Sequence, residues 1–172
     1  MNIDPVDFRL AMPEDLEAIV RIYNSTIASR LVTADLEPVS VESRKEWFQR
    51  HTPHKRPLWV VEESGKVVGW LGFQPFHSRI AYDATAEISL YLDESVRGRG
   101  LGRKILDFAM EKAPQLGIET LIGLIFEHNI PSIRLFEKAG YCEWGFLPEV
   151  ANLDGVKRGL KYFGRKTGGV KS

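Results

Sequence analysis

The sequence has little of what a disulfide-stabilised, membrane-spanning or polyanion-binding protein needs. Its single cysteine, Cys142, excludes an internal disulfide and a cysteine-based zinc site, and we interpret it as a small buried packing residue. No apolar run approaches the roughly 18 residues of a membrane span, so we expect no membrane partner. Residues 1–5 lack the basic start and apolar run of a signal peptide, which makes a cytoplasmic location the expectation.

Charge of one sign is also missing, because 23 Lys and Arg balance 23 Asp and Glu. A net charge of zero argues against a broad basic face, so we expect no nucleic-acid partner. The four histidines show no metal-ligand spacing, and we expect no metal site; they are His51, His54, His77 and His128.

What the sequence does have is enough apolar material for one core. The chain has 172 residues, of which 44% are hydrophobic and 27% charged, as in an ordinary globular domain. We expect this domain to span residues 1–163. Residues 164–172 are Gly-rich and basic, and we expect a flexible C-terminal tail there.

Hydrophobic periodicity predicts a mixed α/β fold of the α+β type. Helices are predicted to begin near Pro13, Ser40, Gly100 and Asn129. Strands are predicted at residues 6–10, 58–63, 67–73, 85–92, 120–126, 141–147 and 157–163, with the last two joined through residues 152–155. The pattern indicates a mixed central sheet of about six to seven strands flanked by about four helices.

The predicted strand at residues 85–92 alternates between two faces. Ile88, Leu90 and Leu92 share one face. Glu87, Ser89 and Tyr91 share the other, so Glu87 faces either solvent or a cleft.

The segment Arg97–Gly102 has the composition of an anion-binding loop. Its glycines allow a tight turn and a close approach of ligand to backbone, and the helix that follows supplies unpaired N–H groups. Arg97, Arg99, Arg103 and Lys104 place four cations within eight residues. A nucleotide-binding P-loop would need Gly-Lys-Ser/Thr, and a dinucleotide fingerprint would need glycine where Arg103 stands. A tight basic surface turn remains the plain alternative.

Two motifs resemble those of the GNAT N-acetyltransferases. Residues 96–102 (VRGRGLG) are similar to that family's acetyl-CoA loop, and residues 129–141 (NIPSIRLFEKAGY) are similar to its second motif. The resemblance implies the GNAT fold and acetyl-CoA as co-substrate. The residues it implies for acetyl-CoA binding are Ser89, Leu90, Tyr91, Leu92, Arg97, Gly98, Arg99, Gly100, Leu101, Gly102, Arg103, Asn129, Ser132 and Phe136.

The resemblance narrows to the phosphinothricin and methionine sulfoximine acetyltransferase subgroup and covers about residues 8–163. The residues that carry it are Arg9-Leu10-Ala11, Ile22-Tyr23-Asn24, Glu37-Pro38, Trp47-Phe48, Ala81-Tyr82 and Glu87. It implies N-acetylation of a small amino-acid-like amine by direct attack, in a homodimer.

In that subgroup the position of Glu87 carries the general base. The oxyanion would be stabilised by the N–H of Tyr91 or Leu92. Phe136 stands where many family members have a proton-donating tyrosine, so Tyr82, Tyr91 and Tyr141 remain open as substitutes.

The acceptor side is predicted at Arg79, Tyr82 and Asp35, which lie in two segments that resemble the subgroup's substrate loops. Arg79 could hold an anionic group of the acceptor, or be a solvated loop residue. Two other functions remain open: acetylation of a protein N-terminus or lysine, and non-catalytic sensing of acyl-CoA.

Overall fold

The computed structural model describes residues 5–168. Within that range it contains the predicted order of seven strands and four helices, so the expected mixed α/β architecture is confirmed. The elements are β1 (Val6–Leu10), α1 (Leu16–Ser25), α2 (Val41–Gln49), β2 (Leu58–Glu63), β3 (Lys66–Pro75), β4 (Thr85–Leu92), α3 (Leu101–Gln115), β5 (Thr120–Phe126), α4 (Ile130–Lys138), β6 (Cys142–Leu153) and β7 (Val156–Lys166).

The strands form one sheet in the order β1-β2-β3-β4-β5-β7-β6. All neighbours are antiparallel except β4 and β5, which run parallel. The β4–β5 ladder is short: it pairs Thr85–Glu87 with Thr120–Ile122 and then stops. The sheet therefore opens between its two central strands.

The two faces of the sheet bury separate cores. Helices α1 and α2 cover a smaller core that includes Ile19, Ile22 and Trp70. The larger core on the other face includes Phe73 and Ile105, to which α3 and α4 also contribute. Strand β4 follows the predicted alternation: Ile88, Leu90 and Leu92 contact the larger core, whereas Tyr91 packs against the smaller one.

The C-terminal hairpin is longer than predicted. The predicted connection at residues 152–155 shrinks to a turn at Asp154 and Gly155. Strand β6 continues through Pro148 and Glu149 because the register shifts there, with Glu149 at a φ of 53°. A proline beside a charged residue reads locally as the end of a strand, which explains the misplaced boundary.

Residues 164–167 do not form the flexible tail that was predicted to begin at residue 164. Residues 164–166 belong to β7, and the Thr167 N–H donates to the Glu119 carbonyl at 2.9 Å. Residues 169–172 lie outside the described part of the chain.

Cys142 is exposed at the start of β6, so the prediction that it is buried is wrong. The edge position of β6 explains this, because one flank of the strand has no neighbour. None of the helices within residues 5–168 is long and apolar enough to cross a membrane.

Candidate active site

Strand β4 presents free backbone groups where it parts from β5. The Asp93 N–H donates to the Val68 carbonyl at 2.8 Å, so the odd-numbered residues of β4 are the ones turned to β3. The backbone groups of even-numbered residues point towards β5. The Ala84 carbonyl, for example, accepts from the N–H groups of Glu119 and Thr120. Leu90 and Leu92 lie beyond the last β4–β5 pair and direct their backbone into the opening.

This alternation corrects one prediction about the backbone. The Tyr91 N–H is turned to β3 and does not face the opening. The N–H groups of Leu92 and Leu90 do face the opening. The Leu92 carbonyl is already engaged, since it accepts from the Arg97 guanidinium at 3.3 and 3.2 Å.

A cleft of about 410 Å³ occupies the opening. Residues 87–91 of β4 form one wall, residues 124–126 of β5 form the other, and α4 contributes Ser132, Leu135 and Phe136. The cleft brings together several predicted site residues: Glu87, Ser89, Leu90, Tyr91, Asn129, Ser132 and Phe136.

Glu87 is half-buried in the wall of this cleft and forms the last β4–β5 pair, with Ile122. Burial raises the pKa of its carboxyl above the usual value. The residue opposite on β3 is Gln74, which is uncharged, so no cation holds Glu87 in its ionised form from that side. A carboxyl with a raised pKa in a cleft is suited to exchange protons with a substrate.

The glycine loop forms the link from β4 to α3. Gly98 and Gly100 have φ values of 73° and 82°, a conformation in which a side chain is strained. Gly100 is the N-cap of α3, and the first intrahelical N–H to find an acceptor is that of Lys104. The amides of residues 101–103 are therefore available to an anion at the helix N-terminus.

Gly102 serves packing instead. A Cβ at this position would lie 2.8 Å from the Leu135 side chain, so its absence lets α3 approach α4.

Most of the predicted cationic cluster is engaged within the protein. Arg99 forms a two-bond ion pair with Glu63 at 3.1 and 2.6 Å. Arg103 donates to Asp107 at 2.9 Å and to the Lys138 carbonyl at 2.8 Å. Since Arg97 is bonded to Leu92, the backbone amides offer the anion site more directly than these side chains do.

Helix α4 is positioned by its cap and by a missing side chain on β5. The Asn129 carboxamide oxygen accepts from the Ser132 N–H at 3.3 Å, so Asn129 caps the helix as well as lining the cleft. A Cβ on Gly123 would lie 2.5 Å from the Phe136 ring. Glycine at this position therefore lets Phe136 lie flat against β5.

The three candidate tyrosines occupy different surroundings. Tyr91 lines the cleft, and burial raises the pKa of its phenol. Tyr141 packs in the core against Phe136, with ring centroids 4.9 Å apart, and is not part of the cleft wall. Tyr82 is exposed, and its ring is tilted against that of His77. Of the three, the structure brings only Tyr91 to the site.

The segment between α1 and α2, residues 26–40, which we call the strap, crosses one end of the cleft. Val32, Thr33 and Ala34 line the cleft wall. Arg30 holds the strap down, because its carbonyl accepts from His128 Nε2 at 2.8 Å and its side chain pairs with Asp154 at 2.6 Å.

Asp35 lies on the far side of the strap in a polar cluster. Its carboxylate accepts a short hydrogen bond from the Tyr23 hydroxyl and pairs with Arg44 at 2.8 Å. Tyr23 also contacts the Thr33 hydroxyl at 2.5 Å. The sequence analysis gave Tyr23, Arg44, Arg30 and His128 no role in the site, because their roles arise from contacts that form only in the folded chain.

Arg79 stands apart from this geometry. It is exposed at the start of the turn Ile80–Tyr82 and is not part of the cleft wall. The structure therefore does not bring Arg79 or Tyr82 to Glu87. Within residues 5–168 no group of three or more His, Cys, Asp or Glu side chains could hold a metal ion.

Comparison with known proteins identifies this arrangement. The model of the acetyltransferase (GNAT) family matches residues 19–141. The chain belongs to the GNAT acetyltransferase family. Its loop at residues 97–102 and its opened sheet are thus features of an acetyltransferase, and the resemblance of the two motifs is confirmed.

Individual relatives lie in the subgroup that the sequence resembles. A Bacillus subtilis protein provisionally named phosphinothricin acetyltransferase YwnH is 54% identical, over 92% of this chain and 97% of its own. The L-methionine sulfoximine/L-methionine sulfone acetyltransferase of Salmonella typhimurium is 30% identical over 88% of this chain and 86% of its own.

Among solved structures, a phosphinothricin acetyltransferase from Sinorhizobium meliloti in complex with AcCoA superposes with a TM-score of 0.88. It is 25% identical, and the match covers 97% of this chain and 91% of that one. Acetyl-CoA as co-substrate is thereby supported for this family member.

Proposed function

We propose that this protein transfers the acetyl group of acetyl-CoA to the primary amine of a small amino-acid-like acceptor of the phosphinothricin or methionine sulfoximine type. One observation carries the proposal: a half-buried carboxyl, Glu87, stands at the point where β4 and β5 separate. The relatives named above act on such acceptors.

Glu87 is the general base. An amine at neutral pH is mostly ammonium and has to lose a proton before it can attack a thioester. The Glu87 carboxylate takes this proton directly or through one water. The backbone N–H of Leu90 or Leu92 then donates to the thioester oxygen as negative charge develops there.

Acetyl-CoA binding is shared between backbone and α4. The amides of residues 101–103 bind the pyrophosphate, assisted by the loop Arg97–Gly100, and the open edge of Ser89–Leu92 pairs with the pantetheine arm. Asn129, Ser132 and Phe136 pack along that arm.

When the tetrahedral intermediate collapses and its C–S bond breaks, Tyr91 gives a proton to the leaving thiolate, because Phe136 has none to give. The second proton that the nitrogen loses as the amide forms then restores the phenol. Tyr91 lines the cleft, and a phenol is protonated at neutral pH, as a donor must be. A CoA thiol also leaves tolerably as the anion, since thiols have pKa values of about 8.5.

The covered cleft favours a small acceptor over a peptide. Val32–Ala34 line the cleft, and the Arg30 contacts hold the strap in place, where a peptide groove would need an open loop. Asp35 contributes through Tyr23 and Arg44, while Arg79 and Tyr82 form an outer rim.

We also propose a cytoplasmic homodimer that takes small molecules rather than nucleic acid or membrane as partners. Exposed apolar side chains on β6 support an interface between copies; they are Trp144, Phe146, Leu147 and Val150. Sedimentation of the full chain should give twice the monomer mass.

A thiol-release assay with acetyl-CoA tests the activity. The panel includes phosphinothricin, methionine sulfoximine, methionine sulfone, the common amino acids and short peptides. We expect turnover with the amino-acid-like acceptors. Turnover only with peptides would favour a protein acetyltransferase, and tight CoA binding without any turnover would favour a sensor.

A further inference from the structure

A second cavity lies beside the cleft on the α1–α2 face of the sheet. It measures about 150 Å³, and the two spaces share Ser89 and Tyr91 as wall residues. An engineered cavity of about this volume in another protein holds a benzene molecule, so the end of an amino-acid side chain would fit. We call this space the aromatic pocket, and it is lined by Ile19, Val20, Tyr23, Val39, Arg44, Trp47, Trp70, Gln74, Ser89 and Tyr91.

Four aromatic rings wall the aromatic pocket and hold one another in place. Trp70 stacks on Tyr91 with centroids 4.5 Å apart, and Trp47 meets Trp70 edge-on at 5.5 Å. Tyr23 tilts against Tyr91 at 5.1 Å. A cavity between mutually packed rings keeps its shape without a ligand, which lowers the cost of binding.

The polar groups of the aromatic pocket are biased towards donors. The Trp70 indole N–H is buried, in a residue only 3% exposed, and no acceptor for it exists within residues 5–168. The Arg44 guanidinium lies over the Tyr23 ring, 5.0 Å from its centroid, and donates one hydrogen bond to Asp35. Arginine and tryptophan can only donate, so an oxygen-rich group satisfies this site and an alkyl group leaves it unsatisfied.

The register of the sheet places this site within reach of the base. Glu87, Ser89 and Tyr91 lie on one face at successive steps of about 7 Å along β4. Across from them on β3 stand Gln74, Gly72 and Trp70, and both Gln74 and Trp70 also line the aromatic pocket. Gln74 lies opposite Glu87 and lines the pocket, so an amino acid with its amine at Glu87 could extend its far end into the aromatic pocket.

We propose that the aromatic pocket receives an oxygen-rich group of the acceptor, a carboxylate or a sulfone-like group, with Arg44 and the Trp70 N–H as donors. This inference rests on the proposed function, since it assumes an amine bound near Glu87. It makes the pocket the element that selects the acceptor, separate from the acetyl-CoA cleft.

Binding and turnover are to be measured with the full chain saturated with CoA or acetyl-CoA. The probes are methionine sulfone, norleucine, which lacks the side-chain oxygens, and the methyl ester of methionine sulfone, which lacks the free carboxylate. We expect wild type to bind methionine sulfone at least about tenfold more tightly than one of the other two, the gain of a hydrogen bond to a charged donor. The weaker probe shows which oxygen group occupies the pocket.

Two variants and a control locate the effect. Arg44→Gln should lower the oxygen preference by about 10–100-fold. Arg50→Gln, which changes an exposed arginine at the C-cap of the same helix, should leave the preference intact. Val39→Phe fills the aromatic pocket but keeps the backbone bonds of residue 39 to Asn24, and should weaken methionine sulfone binding without changing CoA affinity.

The outcomes separate the two proposals. An oxygen preference that survives both Arg44→Gln and Val39→Phe would overturn the pocket assignment, whatever the turnover. Binding that follows the expected pattern without acetyl transfer would overturn the proposed function and leave the pocket assignment standing. Equal loss of all probes and of CoA in Arg44→Gln, with Val39→Phe harmless, would show that Arg44 is structural.

Discussion

The proposed acetyl-CoA end and the proposed acceptor end of the site are built in opposite ways. Around the glycine loop, the groups offered to a ligand are backbone amides from one continuous segment, held by two left-handed glycines. At the acceptor end they are side chains from separate elements: Tyr23, Arg44, Trp70 and Glu87. The first end depends on local conformation, and the second depends on the whole fold being in register.

The largest test of this contrast is Glu87→Gln. It removes the base and leaves the backbone edge in place, so turnover should fall by about 10²–10⁴-fold while acetyl-CoA affinity is kept. Steady-state kinetics and calorimetry measure the two quantities. Glu94→Gln, an exposed carboxyl just after β4, is the control and should match wild type. Near-normal turnover of Glu87→Gln would show that Glu87 is not the general base.

The converse change is Gly100→Val, which should act at the acetyl-CoA end. With φ at 82°, a β-branched residue is strained, and the first turn of α3 has to shift. We expect CoA affinity to fall about tenfold, a loss of about 1.4 kcal/mol of binding free energy, in calorimetry.

Gly65→Val provides the matched control for that change. Gly65 has a φ of 75° in the β2–β3 turn and, like Gly100, has open space around its absent Cβ. Both variants should lose similar stability, but only Gly100→Val should lose CoA affinity. Equal CoA affinities would mean that the loop amides do not bind the pyrophosphate.

A smaller effect is expected from His128→Ala, which frees the Arg30 carbonyl and loosens the strap. The lost hydrogen bond is worth about 1 kcal/mol, so the KM of the acceptor should rise a few-fold with the KM of acetyl-CoA unchanged. His54→Ala, an exposed histidine, is the control. A parallel rise in both KM values would show that the strap does not serve the acceptor end.

The smallest effect concerns stability and pH. Burial raises the folded-state pKa of Glu87, so the folded protein holds this proton more tightly than the unfolded chain does. Ionisation therefore costs stability as pH rises from the ordinary carboxyl pKa through the raised one. Glu87→Gln should be more stable than wild type above this window and equal to it below, in urea unfolding at several pH values. A variant that is less stable at neutral pH would contradict this.

The contrast between the two ends also explains what could be predicted from the sequence. The order of elements, the alternation along β4 and the glycine loop are local patterns, and they were recovered. Arg44 and Trp70 could not be recognised, because their roles arise from contacts with α1, the strap and β4. Arg79 was placed near the acceptor because its loop resembles the subgroup's substrate loop, and an exposed loop end carries no packing signal that could fix its direction.

The boundaries that failed lie in the C-terminal hairpin. Pro148 and Glu149 interrupt the alternation of β6, and the strand survives them only because β7 supplies a partner through two register shifts. The pairing of β6 with β7 allows this interruption, and the sequence of either strand alone does not reveal it.

The short β4–β5 ladder has a mechanical consequence. Three residue pairs are all that join strands β1–β4 to strands β5, β7 and β6 within the sheet. A thioester arm in the opening would form hydrogen bonds with the edge of β4 and contacts with β5. It would therefore connect the two parts of the sheet in the way that an additional strand does. Binding of the co-substrate should therefore stabilise the folded protein. At high co-substrate concentration the melting temperature should rise, and the amides of Leu90 and Leu92 should exchange with solvent more slowly.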